Sequence, residues 1–194
     1  MIEKTESFYP KDRKSLRAWL EKNHASRKNI WLIRYNKKSG KPSVTYEEIV
    51  EEALCFGWID SKSNKRDDES AYLFLSQRKH KSVWSKLNKQ RVKKLSSLGL
   101  IKPAGQFLID LAKKSGYWNA LDEIENLVIP DDLDEALAKN KSSLKYFNAF
   151  PPGSRKRILF WISSARQEAT RKKRIAETVA LAAKNIRANQ NKVK

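Results

Sequence analysis

The sequence predicts an α+β protein, with a small mixed or antiparallel sheet and packed helices at the N-terminal end and an all-helical part at the C-terminal end. Two observations carry this. Strand and helix signals alternate up to about residue 80, and helical periodicity alone continues after it. No repeat, low-complexity tract or Gly/Ser linker interrupts the chain. Hydrophobic residues make up 40% of the 194, with six tryptophans among them, which suffices for a buried core. An α+β domain over 1–120 and a helical module over 121–194, packed on the first, are expected.

The elements follow in order. Leu16, Trp19 and Leu20 recur at helical spacing and predict a first helix over 12–24. NIWLIRY (29–35) is rich in β-branched and aromatic residues and reads as a strand. Thr45, followed three residues later by Glu48, forms a capping box for a helix over 46–56, and Gly57 suits its end. WIDSKSN (58–64) and AYLFLS (71–76) read as a hairpin around DDES. Ser82 is expected to cap a helix over 83–98 that Gly99 ends, and Pro103 to open one reaching Lys114. Pro130 starts a short helix to about 139, and a further helix precedes Pro151. The last two helices are expected over 154–166 and 168–187.

Charge is the strongest compositional signal. The net of +19 is uneven. Residues 61–101 carry 11 basic and 3 acidic groups, residues 151–194 carry 12 and 2, and an acidic insert lies between them. Such blocks attract polyanions or anionic lipid, or simply solubilise the surface. The longest apolar stretches are too short to span a membrane. MIEKTESFYPKDRK has no apolar signal segment, so a cytoplasmic location is expected. One cysteine rules out an intrachain disulfide framework, and two histidines without metal spacing argue against zinc. No Gly-rich phosphate loop occurs. No cofactor, metal or catalytic residue is expected.

Cys55 invites a nucleophilic reading that projection removes. On a helix from Tyr46 it points away from Ile49, Val50, Ala53 and Leu54, among Glu48, Glu51 and Glu52, where a thiolate is disfavoured. Glu51–Glu52 and Asp67–Asp68 are expected on a solvated helix face and in a turn. Trp58 and Asp60 share one strand face. On the helix over 83–98, Trp84, Leu87, Val92, Leu95 and Leu98 form an apolar arc, with Lys86, Lys89 and Lys93 opposite and Asn88 and Arg91 inside it. A polar cluster of Trp58, Asp60, Asn88 and Arg91 is therefore expected, with an Asp60–Arg91 ion pair at its centre. It serves as structural glue or as the floor of a site. In the last helix Ile175, Val179, Ala182 and Ile186 make the stripe, and Glu168 and Arg171 share it. Lys86, Lys89 and Lys93, with the run Arg171, Lys172, Lys173 and Arg174, are the candidate anion-binding groups.

YEEIVEEALCFGWIDS (46–61), RKHKSVWSKLNKQRV (78–92), GLIKPAG (99–105) and FPPGSRKRILFWISSARQEATRKKRI (150–175) together resemble the YdeI/OmpD-associated, or bacteriocin-protection, family over most of the chain. The pattern departs at Ala169, where a Glu is expected before Thr170-Arg171. The resemblance implies protection against bacteriocins or envelope stress and no reaction. The expected function is thus non-enzymatic, through a protein partner or an anionic membrane surface. Two alternatives stay open: a nonspecific nucleic-acid-binding module, in which Tyr72, Phe74 and Trp84 stack bases between the basic blocks, and an enzyme with a site near Asp60 and Arg91.

Overall fold

The computed structural model describes residues 7–190, and the chain divides into two compact units, Met1–Asn119 and Ala120–Lys194. In the first, β1 (Ser7–Phe8), α1 (Arg13–Asn23), β2 (Asn29–Tyr35) and a single 3-10 turn (Lys37–Ser39) precede α2 (Tyr46–Cys55). The hairpin β3 (Trp58–Lys65) and β4 (Ser70–Gln77) follows, then α3 (Lys86–Ser97) and α4 (Pro103–Lys114). The sheet order is β1-β2-β4-β3, with β1 parallel to β2 and the other pairs antiparallel. The sheet is therefore mixed. The two-residue β1 went unread because it is too short to show a period.

Alternation sorts the faces of the sheet. Ile30 and Leu32 of β2 and Leu73 and Leu75 of β4 join Leu16 and Leu20 of α1 and Ile49 and Leu54 of α2 in one core. The other face carries half-buried Trp31, Tyr72 and Phe74, whose rings tilt against one another at 56° and 72°. The Thr45–Glu48 capping box forms as expected. Gly57, with φ +74, ends α2 and turns the chain into β3. Gly105 has another role. A Cβ there would lie 2.4 Å from the Cys55 carbonyl oxygen, so its absence lets the first turn of α4 dock on the last carbonyls of α2. The Lys102 N–H donates to that same Cys55 carbonyl at 2.9 Å.

α3 starts three residues later than the sequence suggests, because Ser85 rather than Ser82 caps it, accepting from the Asn88 N–H. Trp84 stays outside the helix, 2% exposed, against Trp118 at 5.0 Å. The shift opens the arc: Val92 and Leu95 are buried, whereas Leu87 and Leu98 are 54% and 58% exposed.

The second unit contains α5 (Asp122–Glu125), α6 (Asp131–Ala138), α7 (Lys141–Ala149), α8 (Pro152–Ser163) and α9 (Glu168–Ala182). Its core includes Leu133, Leu137, Phe147, Ile158, Ile162 and Ile175. α9 ends at Ala182 rather than near 187. Asn185, at φ +57, forms a C-terminal motif in which Ile186 N–H donates to the Leu181 carbonyl and Asn185 N–H to that of Ala182. Ile186 leaves the expected stripe and is 50% exposed.

Candidate functional site

The expected polar cluster divides into three parts. Trp58 is buried, and its indole N–H donates to the His24 carbonyl at 3.2 Å. Asp60 accepts from the Tyr46 hydroxyl at 2.7 Å. Arg91 donates to Asn88 Oδ1 at 3.0 Å, one turn back on its own helix. Among the described residues Asp60 and Arg91 form no direct ion pair, which corrects the sequence reading. Tyr46 stands in the field of both. Burial, reinforced by its bond to Asp60, pushes its hydroxyl up to about 12, against an opposing effect of Arg91.

The acidic side of α2 is not solvated. Every residue from Ile49 to Cys55 is buried. Glu52 is held by Arg13 Nε at 2.7 Å and Arg17 Nη1 at 2.9 Å, and Glu51 by Arg13 Nη1 at 2.7 Å and Lys94 Nζ at 2.9 Å. The two carboxylates thus tie α1 and α3 to α2. Asp67, by contrast, does sit in the hairpin turn, accepting from Ser70 Oγ at 2.8 Å. Cys55 lies beneath this lattice, fully buried. Burial, with the Glu52 charge beside it, pushes its thiol up to about 11. A group so sealed packs and does not attack.

A feature that the sequence reading missed lies at the other end of α2. A pocket of about 430 Å³ opens between the end of α2, the end of β4 and the first turns of α4. Both of the chain's histidines, His24 and His80, line it, together with Gln77, Arg78 and the aromatic walls Phe56 and Phe107. Arg78 is 4% exposed. Its backbone N–H donates to the Gly57 carbonyl at 2.9 Å, its Nη2 to the Val83 carbonyl at 2.6 Å, and its guanidinium lies 3.7 Å from the Trp84 ring centre. Among the described residues no hydrogen-bond partner is found for its Nε or Nη1. Burial lowers its pKa to about 10, although Asp60 opposes this, and the group stays charged at neutral pH.

The candidate anion-binding groups also separate. On α3, Lys86 and Lys93 are exposed and Lys89 is half-buried. Beside them runs a flank of Leu87, Arg91, Lys94 and Leu98, one above another at helical spacing. The run at 171–174 is not one phosphate patch. Arg171 forks Asp132 through Nε at 2.6 Å and Nη2 at 2.7 Å. Lys172 pairs with Glu168 at 2.6 Å. Arg174 donates to the Trp161 carbonyl and to Ser164 Oγ and covers the Trp161 ring, while Lys173 is exposed. A groove of about 690 Å³ between α6 and α9 has Ala136, Ile175 and Val179 among its lining residues. Among the described residues no group of three His, Cys, Asp or Glu side chains is placed to hold a metal ion, and no helix is long and apolar enough to cross a membrane.

The fold therefore defines a protein with an α+β unit built on a four-stranded sheet and a helical unit. The chain belongs to the family described as a domain of unknown function (DUF8412), whose model matches residues 8–107. Residues 126–185 match the family described as bacteriocin-protection, YdeI or OmpD-associated, so the helical unit carries a module of that class. The stretches at 46–61, 78–92 and 99–105 fall within the first match, and the resemblance is accordingly narrower than most of the chain. No curated protein and no solved structure matches the chain.

Proposed function

We propose that the chain is a non-enzymatic protection protein that works from the cytoplasmic side at an anionic membrane surface, which it meets through the flank of α3. The observation that carries this reading is the pair of exposed leucines, Leu87 and Leu98, interleaved with Arg91 and Lys94. Lys94 is engaged by Glu51, but the exposed Lys86 and Lys93 of the same helix each contribute roughly 1 kcal/mol of attraction near an anionic surface. Leucines on the same flank gain by entering the apolar boundary below the headgroups. Nucleic acid would reward the charge but leave the leucines in water. The tilted packing of Trp31, Tyr72 and Phe74 also offers no set of parallel ring faces for stacked bases. The module matched over 126–185 supports a protective role, and the sealed Cys55 supports a binding role over a catalytic one.

The test is a competition between surfaces. The full chain is titrated with phosphatidylglycerol vesicles, with phosphatidylcholine vesicles and with single- and double-stranded DNA, each at low and moderate salt. Retention by phosphatidylglycerol that outlasts the DNA complex at moderate salt is expected. Tighter binding to DNA than to anionic vesicles at both salts makes the protein a nucleic-acid binder. Binding to neither leaves an acidic protein partner and overturns the membrane reading.

A further inference from the structure

Period-two alternation puts Arg34 on the same face of β2 as Ile30 and Leu32. Those two are buried in the core, whereas Arg34 is half-buried near the end of the strand and keeps contact with solvent. Its antiparallel neighbour on that face, Ala71, is too short to cover it. Among the described residues its guanidinium has no hydrogen-bond or ion-pair partner. A hollow of about 330 Å³ that Arg34 borders does hold acids, but they are engaged elsewhere: Asp67 accepts from Ser70 Oγ at 2.8 Å and Asp68 pairs with Lys65. A partly desolvated charge with no partner is costly, and a ligand that supplies one recovers that cost.

Arg34 also lines a cavity of about 370 Å³ between the end of β2, the 3-10 turn and the start of α2, at the lower end of the range for small-molecule sites. Much of its polar lining is spent. Thr45 Oγ1 accepts from the Glu48 N–H and donates to the Glu48 carboxylate. The Tyr46 hydroxyl donates to Asp60, and Asn36 is held by Ser39 and the Asp68 carbonyl. Lys41 pairs with Glu69 at 2.7 Å. The groups left over are nearly all donors. Lys37, exposed, has no side-chain partner among the described residues. Ser43 Oγ accepts from the Tyr35 N–H at 3.0 Å, which leaves its own O–H to donate. Glu47, exposed, is the single acid of the lining. Two free cations and a hydroxyl thus reach the cavity from three separate stretches of chain. Donors from three directions suit the tetrahedral oxygens of a phosphate better than the single plane of a carboxylate, and two cations match a charge near −2.

We infer that the cavity between the end of β2 and the start of α2 is a binding site for a phosphate monoester, held by Arg34, Lys37 and Ser43. A soluble ester and a phosphatidic acid headgroup carry the same group, and the experiment separates the two. The site uses none of the residues by which α3 meets a membrane, so either reading can fail alone.

The soluble probes are inorganic phosphate, phenyl phosphate and benzoate, titrated into the full chain by calorimetry and followed at the backbone amide resonances of Lys37 and Ser43. Both phosphates are expected to bind saturably, and benzoate roughly tenfold more weakly. Lys37→Gln, at an exposed position, is expected to weaken phosphate several-fold and Arg34→Gln to weaken it more, while Glu47→Gln tightens it. Should Arg34→Gln unfold, the opposite shifts of the two exposed variants carry the test. Lys38→Gln removes the same charge beside the lining and is expected to leave the affinity unchanged. A Lys38→Gln loss equal to that of Lys37→Gln reduces the effect to attraction by a basic surface and overturns the site. Benzoate binding as tightly as phosphate, or no saturable binding of phosphate, overturns it as well. Once phosphate binds as expected, phosphatidylcholine vesicles with and without phosphatidic acid assign the source. Retention by phosphatidic acid that Lys37→Gln weakens places the phosphate on a lipid; retention that Lys37→Gln leaves unchanged places it on a soluble ester.

Discussion

Replacing Glu52 by Gln tests the lattice that holds the first unit together. The carboxylate is 1% exposed and accepts from Arg13 and Arg17 at 2.7 and 2.9 Å. Gln keeps the shape, removes the charge and turns a donor toward one guanidinium. Each charge-assisted bond is worth about 1.5–3 kcal/mol. Arg13 and Arg17 side chains are 33% and 23% exposed, so water recovers part of the loss. A net cost of about 3 kcal/mol follows, below the upper range for breaking a buried pair. For a unit of this size that lowers Tm by roughly 10 °C. Tryptophan fluorescence is the natural probe, because Trp161 is the only tryptophan of the six outside this unit. The control is Asp68→Asn, whose side chain is 94% exposed beside Lys65 and whose loss leaves the transition unchanged. A shift for Glu52→Gln as small as the control's refutes the claim that this lattice binds α1 to α2. Combining it with Arg17→Met gives the coupling directly.

Two other consequences concern protons and thiols. Burial raises the Glu51 pKa, but the bonds from Lys94 and Arg13 outweigh it and hold the folded value below 4.5. Glu51 therefore contributes stability that is fully present above 4.5 and lost as pH falls through its lower folded value. Fluorescence-detected unfolding across the acid range should show the loss, and Glu51→Gln should flatten it; an unchanged acid limb contradicts the assignment. Cys55, sealed and with its thiol near 11, should react with a thiol reagent at mildly alkaline pH only after denaturant is added. Rapid labelling of the native chain would show that the cover over α2 opens.

What was legible in the sequence was local. The Thr45–Glu48 box, the strand at 29–35 and the stop at Gly57 depend on neighbours within a few residues, and all three stand. The boundaries that moved depend on choices between similar signals: Ser85 over Ser82, and a left-handed Asn185 where a Gly would have been read. The site was less legible because its partners are distant in sequence. Glu51 and Glu52 looked solvated since Arg13 and Arg17 lie more than 30 positions away. The guanidinium of Arg78 sits in a run of cations, RKHK, that reads as surface charge. The signal that distinguishes it is its place one residue beyond a buried strand, with Trp84 six residues on. His24 and His80 share no spacing at all, and only the packing of α4 on the end of α2, permitted by Gly105, closes the pocket between them.

The central claim is that the exposed flank of α3 meets an anionic membrane. Flotation of the full chain with phosphatidylglycerol vesicles, wild type against the Leu87→Gln/Leu98→Gln double variant, tests it most directly, because the substitutions leave every charge in place and fall at positions 54% and 58% exposed. The wild type is expected to float with phosphatidylglycerol and not with phosphatidylcholine, and the double variant, unfolding at the same temperature, to bind roughly tenfold more weakly. A double variant that floats as well as the wild type, or a wild type that does not float, contradicts the account.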